Sequence, residues 1–357
     1  MEIVYRKFHK ETDYAEQRKL FRLSFPETEG TPTITDAHFN WKFESYPANK
    51  AKTPSYQYVA LDEEIVGYYA ALPYQYKIGD NIMTCGMVCD VMTHPQRRGR
   101  GIFTSIGHHA TNDLKEKGVS FTTGYPIRPE VIPGHLKVGW KVTLKLPMYL
   151  RPLRLKSFLP KKVQFLSGIV SPFISLIQFF ALLPKKYFTY DILNKSDFLK
   201  LAEYDGFFND WLKNQSNALI KSKSFLNWRT SAPGTEYQFV ILRHKEKLAG
   251  LALARGVNLK GIESLAVLDI MILPEFYRGA RVLHQGLRKL ALQLQKDVVV
   301  CMASSYWTRN YKLRTSFYLP TPAIFSLIVK KLDLSIPDRN LFSPDNWHLF
   351  WVDSDDL

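Results

Sequence analysis

Apolar positions follow two periods along this chain, and each period predicts a different kind of element. Residues 56–61 and 65–72 alternate or run apolar on either side of Asp62-Glu63-Glu64, the pattern of two strands joined by a tight turn. The same pattern returns at 237–243 and 248–255, around His244-Lys245-Glu246-Lys247. Over 102–117 the period lengthens: Ile102, Ile106, Ala110 and Leu114 fall four apart, so one face of a helix is buried. Helices are also predicted at 14–23, 36–44, 208–219, 223–229 and 281–296. Hairpins mixed with helices in this order predict an α+β (mixed α/β) fold, a mixed sheet flanked by helices.

The pattern is written twice. Phe39-Asn40-Trp41-Lys42 returns as Leu226-Asn227-Trp228-Arg229, and Tyr56-Gln57-Tyr58-Val59 as Tyr237-Gln238-Phe239-Val240. Asp90-Val91-Met92 with Pro95 returns as Asp269-Ile270-Met271 with Pro274. The apolar run from Val119 matches that from Val298, and Gly139-Trp140 matches Ser316-Phe317. The offsets drift from 187 through 181 and 179 to 177, as small insertions and deletions produce, so the chain is a tandem duplication. Units at 1–150 and 196–357 with a linker at 151–195 follow, and about two domains is what 357 residues predict.

Composition adds three constraints. A hydrophobic content of 46% supports sizeable cores rather than disorder. Cys85, Cys89 and Cys301 lie in apolar runs without metal-ligand spacing, which reads as buried thiols in a reducing compartment and predicts no metal. The first residues hold no apolar core of signal-peptide length, so a cytoplasmic location is expected.

The net charge of +15 is unevenly spread: residues 151–195 carry eight basic residues against the single acid Asp191. Such a segment fits an anionic partner, either nucleic acid or a membrane surface, and its apolar residues favour the membrane. Within it, residues 163–183 are uncharged and flanked by lysine pairs. Their length permits a bilayer span. Pro172, Gly168 and the homologous units on both sides favour a surface helix, an interfacial hairpin or a helical pair between domains, peripheral at the inner face of a membrane if it touches one.

The most chemical stretch is Pro95-Gln96-Arg97-Arg98-Gly99-Arg100-Gly101-Ile102-Phe103. Two glycines let the backbone turn so that consecutive N–H groups converge at a helix N-terminus, an anion site. The run lacks the Lys-Ser/Thr ending of a nucleoside-triphosphatase loop and the three glycines of a dinucleotide fingerprint. It resembles the Gln/Arg-x-x-Gly-x-Gly/Ala signature of the GNAT acyltransferase superfamily. The resemblance extends to Asp90–Pro95 as that family's splayed fourth strand, Val119–Tyr125 as its fifth, and His135–Trp140 as the end of its last helix.

The resemblance implies a tandem two-unit protein, each unit a mixed, mostly antiparallel sheet flanked by helices. It also implies acetyl-CoA or another acyl-CoA as donor. Its diphosphate would meet the N–H groups of Arg98, Gly99, Arg100, Gly101 and Ile102, with Gln96 and Phe103 bounding the loop. The acyl carbonyl would meet Val91, Met92 and Thr93. Arg97, Arg98 and Arg100 either contact a further phosphate of the donor or face water. The family's usual acid is a tyrosine four residues before the Gly-Phe pair, and here that position is His135. Histidine titrates near neutrality and can protonate a thiolate, unless it merely caps the helix. Tyr125 is the other candidate donor, and Ile127 and Arg128 stand where the family often has asparagine. Asp90 is the best-placed base, although its survival as Asp269 also fits a structural role shared by both copies.

In the second unit Glu275-Phe276-Tyr277-Arg278-Gly279-Ala280 replaces the loop, and a carboxylate there repels a diphosphate, so that unit is read as degenerate and without a donor of its own. Trp41-Lys42 and Trp228-Arg229 belong either to the acceptor side or to an anchoring helix, and their presence in both copies favours anchoring. The expected activity is transfer of an acetyl group to an amine of a small molecule, an amino sugar or sugar nucleotide, by direct attack in a ternary complex. An aminoacyl-tRNA-dependent transferase of the Fem type is one alternative, though those relatives generally lack a working CoA loop. A non-enzymatic membrane-associated scaffold is the other.

Overall fold

A computed structural model describes residues 3–47, 55–126, 128–154 and 187–355. The uncharged stretch 163–183, the lysines beside it and Ile127 lie outside the described residues. Among the described residues no helix is long and apolar enough to cross a membrane.

The first unit contributes β1 (Val4–Lys7), β2 (Tyr56–Asp62), β3 (Glu64–Ile78), β4 (Asn81–Thr93), β5 (Phe121–Gly124) and β6 (Lys141–Pro152). The second contributes β7 (Phe188–Asn194), β8 (Asn217–Leu219), β9 (Tyr237–His244), β10 (Lys247–Leu259), β11 (Ile262–Ile272), β12 (Val298–Met302), β13 (Leu319–Lys331) and β14 (Trp347–His348). Twelve of them form one continuous path, in the order β1-β2-β3-β4-β5-β13-β6-β12-β11-β10-β9-β7. Read from either end, that path lists corresponding strands of the two copies, apart from one exchange at the centre. There β13 of the second unit lies beside β5 of the first, Ile328 opposite Gly124. In return β6 of the first unit lies beside β12 of the second, Cys301 opposite Tyr149. The two exchanged strands also pair with each other, Phe325 opposite Leu146. The boundary expected at residue 150 thus cuts through β6, and residues 188–194, counted within the linker, are an edge strand paired with β9.

The helices form where their apolar stripes fall. Helix Ile102–Glu116 buries Ile102, Ile106, Ala110 and Leu114 against Tyr58, Val66 and Val88 of the first unit. Each large side chain so buried stabilises by about 1.5–3 kcal/mol. Helix Ala280–Gln293 does the same for the second unit with Leu283, Leu287 and Leu290. On the opposite face a single core runs through both units, joining Tyr74, Phe43 and Trp41 to Phe225, Trp228 and Trp351. The expected helix at 208–219 is shorter: it spans Tyr204–Lys213, and Asn217–Leu219 is a strand because it pairs with Tyr76–Ile78 of β3. The helix expected at 36–44 is an α-turn, Asp36–Phe39, continued as a π-helix over Asn40–Glu44. All three cysteines are buried free thiols.

Candidate active site

Parallel pairing of β4 with β5 runs from Cys85/Phe121 to Val88/Gly124 and stops, while β4 continues to Thr93. A bulge drives the separation. Tyr68 faces Met92 and Ala70 faces Cys89, so Asp90 and Val91 together stand opposite Tyr69. Asp90 takes the left-handed conformation, φ 49°, that the bulge demands. The wedge between β4 and β5 opens into a cavity of about 920 Å³ lined by residues of both units. Asp90, Val91, Tyr125 and His135, expected at the site from the sequence, all lie on its wall. Met92 is buried and pairs with Tyr68, and Thr93 pairs with Gly67.

The loop follows directly. Pro95–Arg97 form one 3-10 turn, Gly99 and Gly101 have φ of 80° and 78°, and Gly101 caps helix Ile102–Glu116. Only glycine takes these angles without strain. A Cβ on Gly99 would meet nothing within 4 Å, so the glycine serves the backbone angle rather than close packing. Among the described residues no acceptor is bonded to the N–H groups from Arg98 to Thr104. A run of unpaired N–H groups at the positive end of a four-turn helix suits a diphosphate. Arg98 and Arg100 are exposed, whereas Arg97 is held by Asp62 at 3.4 Å. The loop is not itself part of the cavity wall; His135 links the two, its ring edge-on to Phe103 at 4.9 Å between centroids.

Each candidate for proton transfer sits in a defined environment. His135 is wedged between Phe103 and Trp140, and burial pushes its pKa down to about 4. The near-neutral titration expected of it is therefore lost to desolvation, and it is neutral at pH 7. Burial and the nearby Asp353 carboxylate raise the Tyr125 phenol well above its usual value; its hydroxyl lies 3.3 Å from that of Tyr76. Tyr76 in turn donates to Asp353 at 3.2 Å. Asp90 accepts from the buried Lys42 ammonium at 2.8 Å, and Lys42 also donates to Asp355 at 2.7 Å. Burial alone would discharge Lys42, but Asp355 and Asp90 hold its pKa well above the ordinary value. Asp269 has the analogous partner in Lys221, at 2.8 Å, but the lysine comes from another place in the chain.

Several wall residues carry no strong sequence signal. Asp355 arrives from the end of the described chain, and Arg229, Tyr237 and Arg255 of the second unit face the first unit's wedge. The duplication reaches two of them, since Arg229 is the counterpart of Lys42 and Tyr237 that of Tyr56. The equivalent wedge of the second unit is filled by protein: His348 lies 2.9 Å from the Ile270 carbonyl, and Phe350, Trp351 and Val352 are buried beside it. The second loop is a 3-10 helix, and a Cβ on Gly279 would stand 2.5 Å from the Phe188 ring. Among the described residues no group of acidic, histidine or cysteine side chains is arranged to hold a metal ion.

Comparison with known proteins agrees with this geometry. The family described as an acetyltransferase (GNAT) domain matches residues 5–143. No curated protein sequence matches the chain. Among solved structures, a GCN5-related N-acetyltransferase from Anabaena variabilis is similar over 93% of this chain and 73% of its own, with 12% identity and a TM-score of 0.61. Saccharomyces cerevisiae N-myristoyltransferase with bound myristoyl-CoA is similar over 100% of this chain and 86% of its own, with 12% identity and a TM-score of 0.61. A tandem GNAT protein from the clavulanic acid biosynthesis pathway covers 94% of this chain and 100% of its own, with 10% identity and a TM-score of 0.57. The splayed β4, the glycine loop and the duplicated sheet are thus the parts of one known architecture: residues 5–143 match the GNAT acetyltransferase domain, and the chain as a whole shares the fold of two-unit GNAT proteins.

Proposed function

We propose that this protein transfers an acyl group, acetyl in the simplest case, from acyl-CoA to the amine of a small molecule, with an amino sugar or sugar nucleotide as the first acceptors to test. The observation that carries this reading is the run of unpaired N–H groups between Arg98 and Thr104, beside a wedge that opens into a cavity. Acyl-CoA supplies a thioester carbonyl ready for attack. The loop amides hold its diphosphate, and the free edge of β4 at Val91 offers hydrogen bonds where the oxyanion develops. Asp90 and Asp355 share the single ammonium of Lys42, so the trio carries one net negative charge. That charge draws a protonated amine inward, and the Asp90 carboxylate takes up the proton the amine must lose before direct attack. Tyr125, a neutral phenol, is the better donor for the departing thiolate. His135 holds Phe103 and the helix start in place.

The division of labour supports one donor site. The first unit presents the loop, and the second, its own wedge filled, supplies the far wall of the cavity. A bare, undamaged loop argues against the aminoacyl-tRNA-dependent and scaffold readings. The basic segment 151–195 leaves a peripheral membrane contact as a separate proposal, tested by flotation with anionic vesicles.

Heat stability with acetyl-CoA, CoA and tRNA added separately tests the reading. Stabilisation by both CoA species that is absent from a Gly99→Glu/Gly101→Glu variant is expected. Stabilisation by tRNA alone overturns it.

A further inference from the structure

The second-unit wall of the cavity holds a cation without a counter-ion among the described residues. Arg255 and Tyr237 are cross-strand neighbours on β10 and β9, and Arg255 Nη1 donates to the Tyr237 hydroxyl at 3.4 Å. Arg229 Nη1 donates to the same oxygen at 3.3 Å. Two guanidinium groups therefore converge on one phenol, with Lys296 further along the same wall. Arg229 also reaches the Ser354 carbonyl, and Lys296 is paired with Glu263 at 2.6 Å. Arg255 is different. No carboxylate among the described residues lies within ion-pair distance of it, and its Nε is buried without a hydrogen-bond partner. Burial would raise the Tyr237 phenol, yet Arg229 and Arg255 pull it below its ordinary value, a mark of excess positive charge at this spot.

The fold does not require that charge. In the first unit Tyr56 holds the place of Tyr237, and its register partner is Ala71. An arginine added on the second copy, facing a cavity whose wall also carries Asp90 and Asp355, puts an anion-binding group and a cation-binding group in the same cavity. We infer that Arg255, together with Tyr237, binds an anionic group on the acceptor, so that the substrates are amines that also bear a carboxylate or a phosphate. The inference rests on the acyltransferase reading: the amine end meets the Asp90–Lys42–Asp355 trio and the anionic end meets the guanidinium fork.

The test uses the full chain saturated with CoA, so that the loop cannot take up the probe. Inorganic phosphate and acetate are titrated separately at constant ionic strength while the melting temperature is followed. At least one of them is expected to raise it, phosphate marking a phosphorylated acceptor and acetate a carboxylated one. The shift should vanish in Arg255→Gln and be partly kept in Arg255→Lys, which retains the charge but not the fork. No shift with either anion, or the same shift in Arg255→Gln, overturns the inference. A protein that CoA itself fails to stabilise removes the acyl-CoA reading instead, and the wild-type against Arg255→Gln comparison still judges the anion site.

Discussion

Trp41 and Trp228 exchange the same hydrogen bond in both directions. Trp41 Nε1 donates to the Trp228 carbonyl at 2.7 Å and Trp228 Nε1 to the Trp41 carbonyl at 2.8 Å, with the rings stacked 5.1 Å apart. The pair sits on the pseudo-twofold axis of the duplication and joins the two units. Replacing either by phenylalanine keeps a ring but orphans a buried carbonyl, at a cost of about 1–3 kcal/mol. Alanine costs about 3–5 kcal/mol. The double alanine variant should lose less than the sum, because the first change already breaks the stack. Urea denaturation measures this, and single losses under about 0.5 kcal/mol would show that the pair is not a joint.

Gly99→Ala forces a side chain into the left-handed region at a cost of about 1–2 kcal/mol, in a place where the new methyl meets no protein atom. The protein should fold but hold CoA roughly tenfold more weakly. Gly206→Ala, in the first turn of helix Tyr204–Lys213 and equally open, should stabilise by up to about 0.5–1 kcal/mol without touching CoA affinity. Calorimetric titration of both variants separates the two cases; equal affinities would remove the loop from donor binding.

Lys42→Met leaves Asp90 and Asp355 without their shared cation and should destabilise by about 3–5 kcal/mol at neutral pH. Some of the loss should return at low pH, where the carboxylates take up protons. Asp90→Asn keeps the hydrogen bond to Lys42 available, so the fold should survive while turnover drops and CoA affinity changes little. A full rate in Asp90→Asn takes that residue out of proton transfer.

His284 is held neutral by burial, its pKa lowered from 6.5 to about 3. As the pH falls below about 6.5 the unfolded chain takes the proton first, so stability present at neutral pH is lost progressively toward pH 3, at about 1.4 kcal/mol per pH unit. Buried Asp353, raised to about 6, acts in the opposite sense, since the native state binds its proton first below that pH. Comparing wild type with His284→Gln isolates the histidine. The wild-type denaturation midpoint should fall more steeply between about pH 6 and 4.5, and parallel curves would mean that His284 protonates inside the fold.

Separate polypeptides covering 1–154 and 187–357 should associate, because β6 and β13 each complete the partner's sheet. Neither alone should give a cooperative transition; size-exclusion chromatography and a thermal melt of the mixture check this. An independently folded 1–154 fragment would show that the exchange is dispensable.

The repeat, the glycine loop and most element types were legible because each is written in local periodicity. Ile102, Ile106, Ala110 and Leu114 mark their helix without any knowledge of the rest. The strand exchange was not legible. β6 and β13 hold corresponding places in the two copies, so pairing within a unit and pairing across units would each complete a sheet, and only the three-dimensional register decides. Lys42 was visible as half of a repeated pair, but its bond to Asp90 joins a π-turn to a bulge 48 residues away. Tyr237 was visible only as a repeat of Tyr56, and Asp355 and Arg255 had no local motif at all. His135 was found by counting, yet its proton affinity depends on Phe103 and Trp140 closing around it, which spacing does not encode.

The exchanged strand also sets a timetable for synthesis. The free edge of β5 at Phe121–Gly124 emerges from the ribosome some 200 residues before its neighbour Ile328–Lys331 exists. At roughly 5–20 residues per second that edge waits on the order of 10–40 s, a template for any strand that passes. At four residues β5 is short, which limits what can attach in the meantime. Slow translation across the second half would lengthen the exposure, so codon choice and chaperone supply, rather than the stability of the finished protein, become the levers on its yield.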